Sequence, residues 1–201
     1  MIRIVAGGVL VGMFAVTACG GATPPAAQPL APKAAAPAAR LVDRPLPTDC
    51  ALVAAAEDVT KALGRELAGT TNRVLGLPVP KINRTGRVDC YYGVGANDPV
   101  TAAPVSIGVA TYGDEASARE RVAATVDAAK MAGDATAATK VGPEDATLVA
   151  AKDTRTLVVA HGKSTVVVDV RRDLLAEDKA GPALTALAVR ALTESTGPAP
   201  R

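Results

Sequence analysis

The stretch "RVDCYYGV", residues 87–94, decides the fold. Val88, Cys90, Tyr92 and Val94 share one side of an extended chain, while Asp89 and Tyr91 take the other. That period of two is the mark of a half-buried β-strand. Downstream, "PVSIGVATY" (104–112) repeats it, with Val105, Ile107 and Val109 inward and Ser106 and Gly108 opposite. The Asn97-Asp98-Pro99 turn between them makes the two an antiparallel pair. Further on, "ATLVAAKDTRTLVVAHGKSTVVVDVRR" (146–172) gives three short strands, reversing at Lys152-Asp153-Thr154 and at His161-Gly162-Lys163.

Helices alternate with these strands. "CALVAAAEDVTKALG" (50–64) carries Leu52, Val59 and Leu63 at helical spacing, with Thr48 or Asp49 to cap it and Gly64 to stop it. "GDEASARERVAATVDAAKMAG" (113–133) has an apolar stripe of Ala118, Val122, Val126 and Ala129, an Asp114 cap and a Glu115/Arg119 pair four residues apart. The last, "GPALTALAVRALTES" (181–195), starts with Pro182 in its first turn and turns Leu184, Leu187, Ala191 and Leu192 inward. The expected fold class is α+β: a single domain of about three helices packed on an antiparallel sheet of about five strands.

Composition bounds what such a domain is made of and what it touches. The 201 residues include three cysteines, no tryptophan and one phenylalanine, so the core is expected to be valine, leucine and alanine. Lys and Arg (22) nearly balance Asp and Glu (20) and are intermixed along the chain. A nucleic-acid surface would need a concentrated basic stripe, so no nucleic-acid partner is expected.

Upstream of the domain the chain reads as an export signal and a spacer. Arg3 precedes an uncharged segment from Ile4 to Ala18, about 15 residues and short of the roughly 20 that span a bilayer. Val16-Thr17-Ala18-Cys19 resembles the bacterial lipobox, which implies cleavage before Cys19, a diacylglycerol thioether on its sulfur and an acylated (palmitate-type) amino terminus. Two or three acyl chains hold a protein firmly where one does not. Against this stands a plain secretory signal with a stray cysteine. Residues 20–47 follow, with prolines at 24, 25, 29, 32 and 37 denying them a helix. The expected organisation is signal peptide 1–18, lipid-anchor site and Ala/Pro-rich tether 19–47, folded domain 48–195 and flexible tail 196–201. With Cys19 lipidated on an exported chain, Cys50 and Cys90 are left to pair as a disulfide.

Taken together, "CALVAAAEDVTKALG" and "CYYG" after a lipobox and a Pro/Ala tether resemble the actinobacterial cell-envelope lipoproteins grouped as domain of unknown function 3558. The resemblance covers most of residues 48–195. It implies a lipid-anchored protein on the extracytoplasmic face of the cell membrane, with relatives of similar shape acting as sensor or ligand-binding domains, and it carries no catalytic residue across.

The residues themselves offer little chemistry. His161, the one histidine, sits at a hairpin reversal, where an exposed turn residue is the plain reading and a hydrolase site the sharper one. Adjacent residues on a helix point apart, so Glu57-Asp58 reads as a solvated helix edge, and Glu177-Asp178 reads as a charged approach to the last helix. "GDATAATKVG" (133–142) lacks the Gly-Lys-Ser/Thr ending of a phosphate loop, and no cofactor or metal motif is present. Two surface features remain. Tyr91 is either a contact platform or core beneath a helix. "RVLGLPVPKI" (73–82), with Leu75, Leu77, Val79 and Ile82 among prolines, either packs on the sheet edge or lines a groove for a partner or an apolar ligand. The expectation is a non-enzymatic binding or sensor-like domain for an envelope protein, a cell-wall component or a small apolar molecule. The alternatives are an envelope hydrolase around His161 and a purely structural accessory lipoprotein.

Overall fold

The computed structural model describes residues 40–43 and 45–193. The expected signal peptide, Cys19, most of the expected tether and the expected tail lie outside the described residues.

Seven strands, β1 (Thr70–Gly76), β2 (Arg84–Val94), β3 (Val105–Tyr112), β4 (Ala135–Val141), β5 (Glu144–Ala150), β6 (Thr154–His161) and β7 (Ser164–Arg171), form one antiparallel sheet in the order β1-β2-β3-β7-β6-β5-β4. The class is α+β, but the expected five strands are seven. The two beyond that count, β1 and β4, are the edges of the sheet. Both are largely exposed, so neither needed the apolar alternation that marks a strand.

The described residues form four α-helices: α1 (Cys50–Val53), α2 (Ala56–Leu63), α3 (Glu115–Met131) and α4 (Glu177–Leu192). One helix expected over 50–64 is broken at Ala54-Ala55, and both sides of the break are satisfied. The Tyr92 hydroxyl donates to the Ala54 carbonyl at 2.8 Å. The Ala55 N–H donates to Asp58 Oδ2 at 3.0 Å. Because the phase is lost at the break, Val53 and not Leu52 enters the core beside Val59 and Leu63. Asp49 caps α1 through the Ala51 N–H, and Gly64 ends α2 at φ 68°, a left-handed conformation that glycine adopts without a Cβ clash. Helix α4 begins at Glu177, so Pro182 lies inside it and leaves the Asp178 carbonyl without its helical donor. The Arg155 ion pair to Glu177 in its first turn pins that end to the sheet.

Alternation along the strands gives the sheet two different faces. On the first, Val88, Cys90 and Tyr92, Val105, Ile107 and Val109, Val166, Val168 and Val170, Leu157 and Val159 are all buried, together with α1, α2 and the Leu184, Leu187, Ala188, Ala191 and Leu192 face of α4. The Cys50–Cys90 disulfide ties α1 to the centre of β2, with Cα atoms 5.5 Å apart. On the second face α3 lies over β6 and β7, burying Ala118 and Val126.

Residues 41–43 and 45–47, placed in the tether by composition, lie against the domain. Leu41 is buried and bridges Thr193, the Val42 N–H donates to the Leu192 carbonyl at 3.0 Å, and Leu46 packs on the core. The domain therefore extends at least to Leu41, because Leu41 and Leu46 are large apolar side chains held against it, where the preceding Ala/Pro stretch has only Leu30.

Candidate functional site

The second face of the sheet carries a built polar surface where α3 does not cover it. Cross-strand register places Tyr91, Ser106, Asp169 and Thr156 in one row over β2, β3, β7 and β6. The hydroxyls of Ser106 and Thr156 donate to the two oxygens of Asp169 at 3.2 and 2.5 Å. Burial pushes the Asp169 carboxyl above the usual aspartate range, and these two hydrogen bonds partly oppose that shift. Burial likewise raises the neighbouring Tyr91 phenol, with the Asp89 charge adding to it.

In the next row Asp89 stands opposite Gly108. Arg87 reaches along β2 to grip Asp89 Oδ1 with Nε at 2.9 Å and Nη2 at 2.7 Å. This ion pair lies flat on β3 because residue 108 is glycine: a Cβ there would meet Asp89 Oδ1 at 2.6 Å.

Beside the pair is a concavity of about 170 Å³. Gly108, Ala110, Thr165 and Val167 are its floor; Arg121, Val122 and Thr125 of α3 form one wall and Arg84 and Arg87 the other. Helix α3 is held in place at its start. Asp114 accepts from the Ser117 N–H at 2.7 Å, and the Asn83 amide donates to Asp114 Oδ2 at 2.9 Å, which ties the helix to the turn before β2. These bonds hold the exposed Asp114 carboxyl below its ordinary range. A second, adjoining concavity runs between the Pro80–Ile82 turn and α3, and Arg121 lines both.

The residues that sequence singled out do not form one surface. Leu75 pairs with Val88 and so belongs to the first face, whereas Tyr91 is on the second. Leu77 is 81% exposed beyond the end of β1. Val79 bridges Arg84 through the backbone, and Ile82 turns towards α3 as a wall of the second concavity. Most of "RVLGLPVPKI" is thus strand and turn, and the apolar groove that its composition suggested is divided between two faces. Cys50 and Cys90 are joined, as export predicted. His161 Nδ1 lies 2.9 Å from Glu144 Oε1. Ser164, its cross-strand partner, is buried with an Oγ that makes no hydrogen bond, so the carboxylate and imidazole have no hydroxyl in relay.

Arg84, Arg87, Gly108 and Arg121 were missed. A glycine inside a strand pattern signals close approach by another group, and Gly108 could have been read that way. Arg121 carried no such signal: on α3 it looks like any solvated charge.

No metal-ligating cluster occurs among the described residues, and none of their helices is long and apolar enough to cross a membrane. No family model matches the chain, and no curated protein sequence matches it. Among solved structures the chain is similar to the extracellular domain of PknH from Mycobacterium tuberculosis, at 12% identity and a TM-score of 0.45, over 71% of this chain and 93% of that one.

Proposed function

We propose that this chain is a lipid-anchored extracytoplasmic protein whose domain is a non-enzymatic binding or sensor-like module, of the kind grouped as domain of unknown function 3558. The observation that carries the binding reading is the second face of the sheet. There an interior glycine admits an ion pair, and four strands and a helix wall off a concavity lined by three arginines. Side chains needed only for stability would be apolar there, as they are on the first face. The lipobox-like Val16-Thr17-Ala18-Cys19 and the Cys50–Cys90 bridge support export and anchoring. In this reading the ligand is a small molecule or envelope component that enters the concavity, and the exposed Leu75 and Leu77 at the β1 edge are the side open to an envelope protein partner.

Intact-mass measurement of the membrane-extracted protein tests the anchor: diacylglycerol on Cys19 and loss of two hydrogens at the bridge are expected. An uncleaved, unlipidated chain with free thiols would overturn it. Native mass spectrometry of the same material tests the binding reading, with a retained small molecule as the expected result.

A further inference from the structure

We infer that the concavity beside α3 is an anion site, and that it takes the phosphate group of a small phosphorylated ligand; this rests on the binding-domain reading above. Three guanidinium groups, those of Arg84, Arg87 and Arg121, line one small space. Like charges gathered in one small space repel one another, and a counter-charge relieves that repulsion. Asp89 supplies one negative charge, on Arg87. Neither Arg84 nor Arg121 has a carboxylate within ion-pair distance among the described residues.

Two positive charges therefore remain uncompensated, which suits a dianion better than a carboxylate. Guanidinium forks also match phosphate oxygens two at a time. Arg84 adds an independent sign. Its Nη2 is fixed by donation to the Leu77 carbonyl at 3.2 Å, while its Nε is buried with no acceptor. A buried donor without an acceptor is costly, and a bound oxyanion would supply one.

The adjoining concavity says where the rest of the ligand lies. It shares Arg121 and is walled by Pro80, Ile82 and Ala124 as well as Lys81, Asn83, Ser117 and the carboxylate of Glu120. A phosphate held by the arginines would direct its ester group between the Pro80–Ile82 turn and α3, against an apolar wall with polar neighbours.

Titration calorimetry of the full chain in nonionic detergent tests this with three phosphate probes, inorganic phosphate, glycerol 3-phosphate and dihexanoyl phosphatidate, and with acetate as the carboxylate control. Saturable binding of at least one is expected, and the tightest probe names the source as free phosphate, a soluble ester or a lipid headgroup. Arg121→Ala and Arg84→Gln should each weaken that binding by about tenfold or more, whereas Lys140→Ala, on the far edge strand, should leave it unchanged. Melting temperature of each variant without ligand separates loss of the site from loss of the fold. No saturable binding up to about 10 mM, binding indifferent to both arginine substitutions, or acetate binding as tightly as phosphate would each overturn the inference. If all three phosphates fail while native mass spectrometry shows a retained uncharged molecule, the anion site falls and the binding-domain reading survives. If they fail and no molecule is retained, both fall.

Discussion

The two faces of the sheet are built from alternate residues of the same strands, yet they do different work. On β7, Val166, Val168 and Val170 enter a core closed by α1, α2 and α4, while their neighbours Thr165, Val167 and Asp169 face the side that α3 half covers. The first face is almost entirely aliphatic, and its polar atoms, such as the Tyr92 hydroxyl, are matched by backbone carbonyls. The second keeps charged groups at the cost of burying them. The contrast teaches that stability and recognition can be separated within one sheet by residue parity, and substitutions should separate them too.

The largest expected effect belongs to the first face. Removing the bridge with Cys50→Ala and Cys90→Ala opens a loop whose ends are 40 residues apart. Chain entropy alone then predicts a loss of about 4 kcal/mol. Tyr92 and the broken α1/α2 segment lie beside the bridge, so denaturant unfolding should show a lower midpoint without a change in which probe binds the second face. A loss below about 1 kcal/mol would mean that packing, not the cross-link, holds α1 on β2.

Gly108→Ala should act in the opposite sense, with a small stability cost of about 1 kcal/mol and a larger effect on binding. The new methyl group would meet the end of the Asp89 side chain at 2.6 Å and Arg87 Nη2 at 3.4 Å, so the ion pair must swing away while the backbone stays. Paired measurements of melting temperature and phosphate affinity check this. A variant that melts far below the parent without altered affinity would place Gly108 among the structural residues and blur the division between the faces.

How much of this was legible in the sequence follows the same division. Strands β2, β3, β5, β6 and β7 were readable because one side of each is buried and their side chains alternate, and α3 and α4 because their apolar stripes are. Edge strands β1 and β4 bury too little to leave a pattern: Thr70–Gly76 presents mostly exposed positions, and Ala135–Val141 is alanine and threonine up to Thr139, then Lys140 and the one buried residue Val141. The break at Ala54-Ala55 depends on Tyr92, 38 residues away, and no local rule reports it. The site was less legible still. Arg84, Arg87 and Arg121 are spread over β2 and α3, and only the crossing of helix over sheet brings them together. What composition did suggest, the apolar run from Leu75 to Ile82, is a property of an edge strand and a turn.

The smallest effect is visible only against pH. Asp169 sits on the second face with its carboxyl raised above the ordinary value of 3.8, burial being the main cause. Folding therefore favours its protonated form, so its contribution to stability is full below the unfolded aspartate's pKa and is lost as pH rises through the folded value. Asp114, Asp173 and Glu177 have the opposite sign, since their hydrogen bonds lower them and their stabilisation fades as pH falls. Comparison with Asp169→Asn isolates the one from the others, because the three exposed carboxyls titrate alike in both proteins. The stability of the parent relative to the variant should fall as pH is raised from about 3.5 towards neutrality, as read from urea midpoints at each pH. A difference that stays flat would mean that the Ser106 and Thr156 hydroxyls, with Arg87 nearby, fully offset the burial of the charge. The second face would then hold its carboxylate without strain, and the contrast with the first would be one of composition and not of energy.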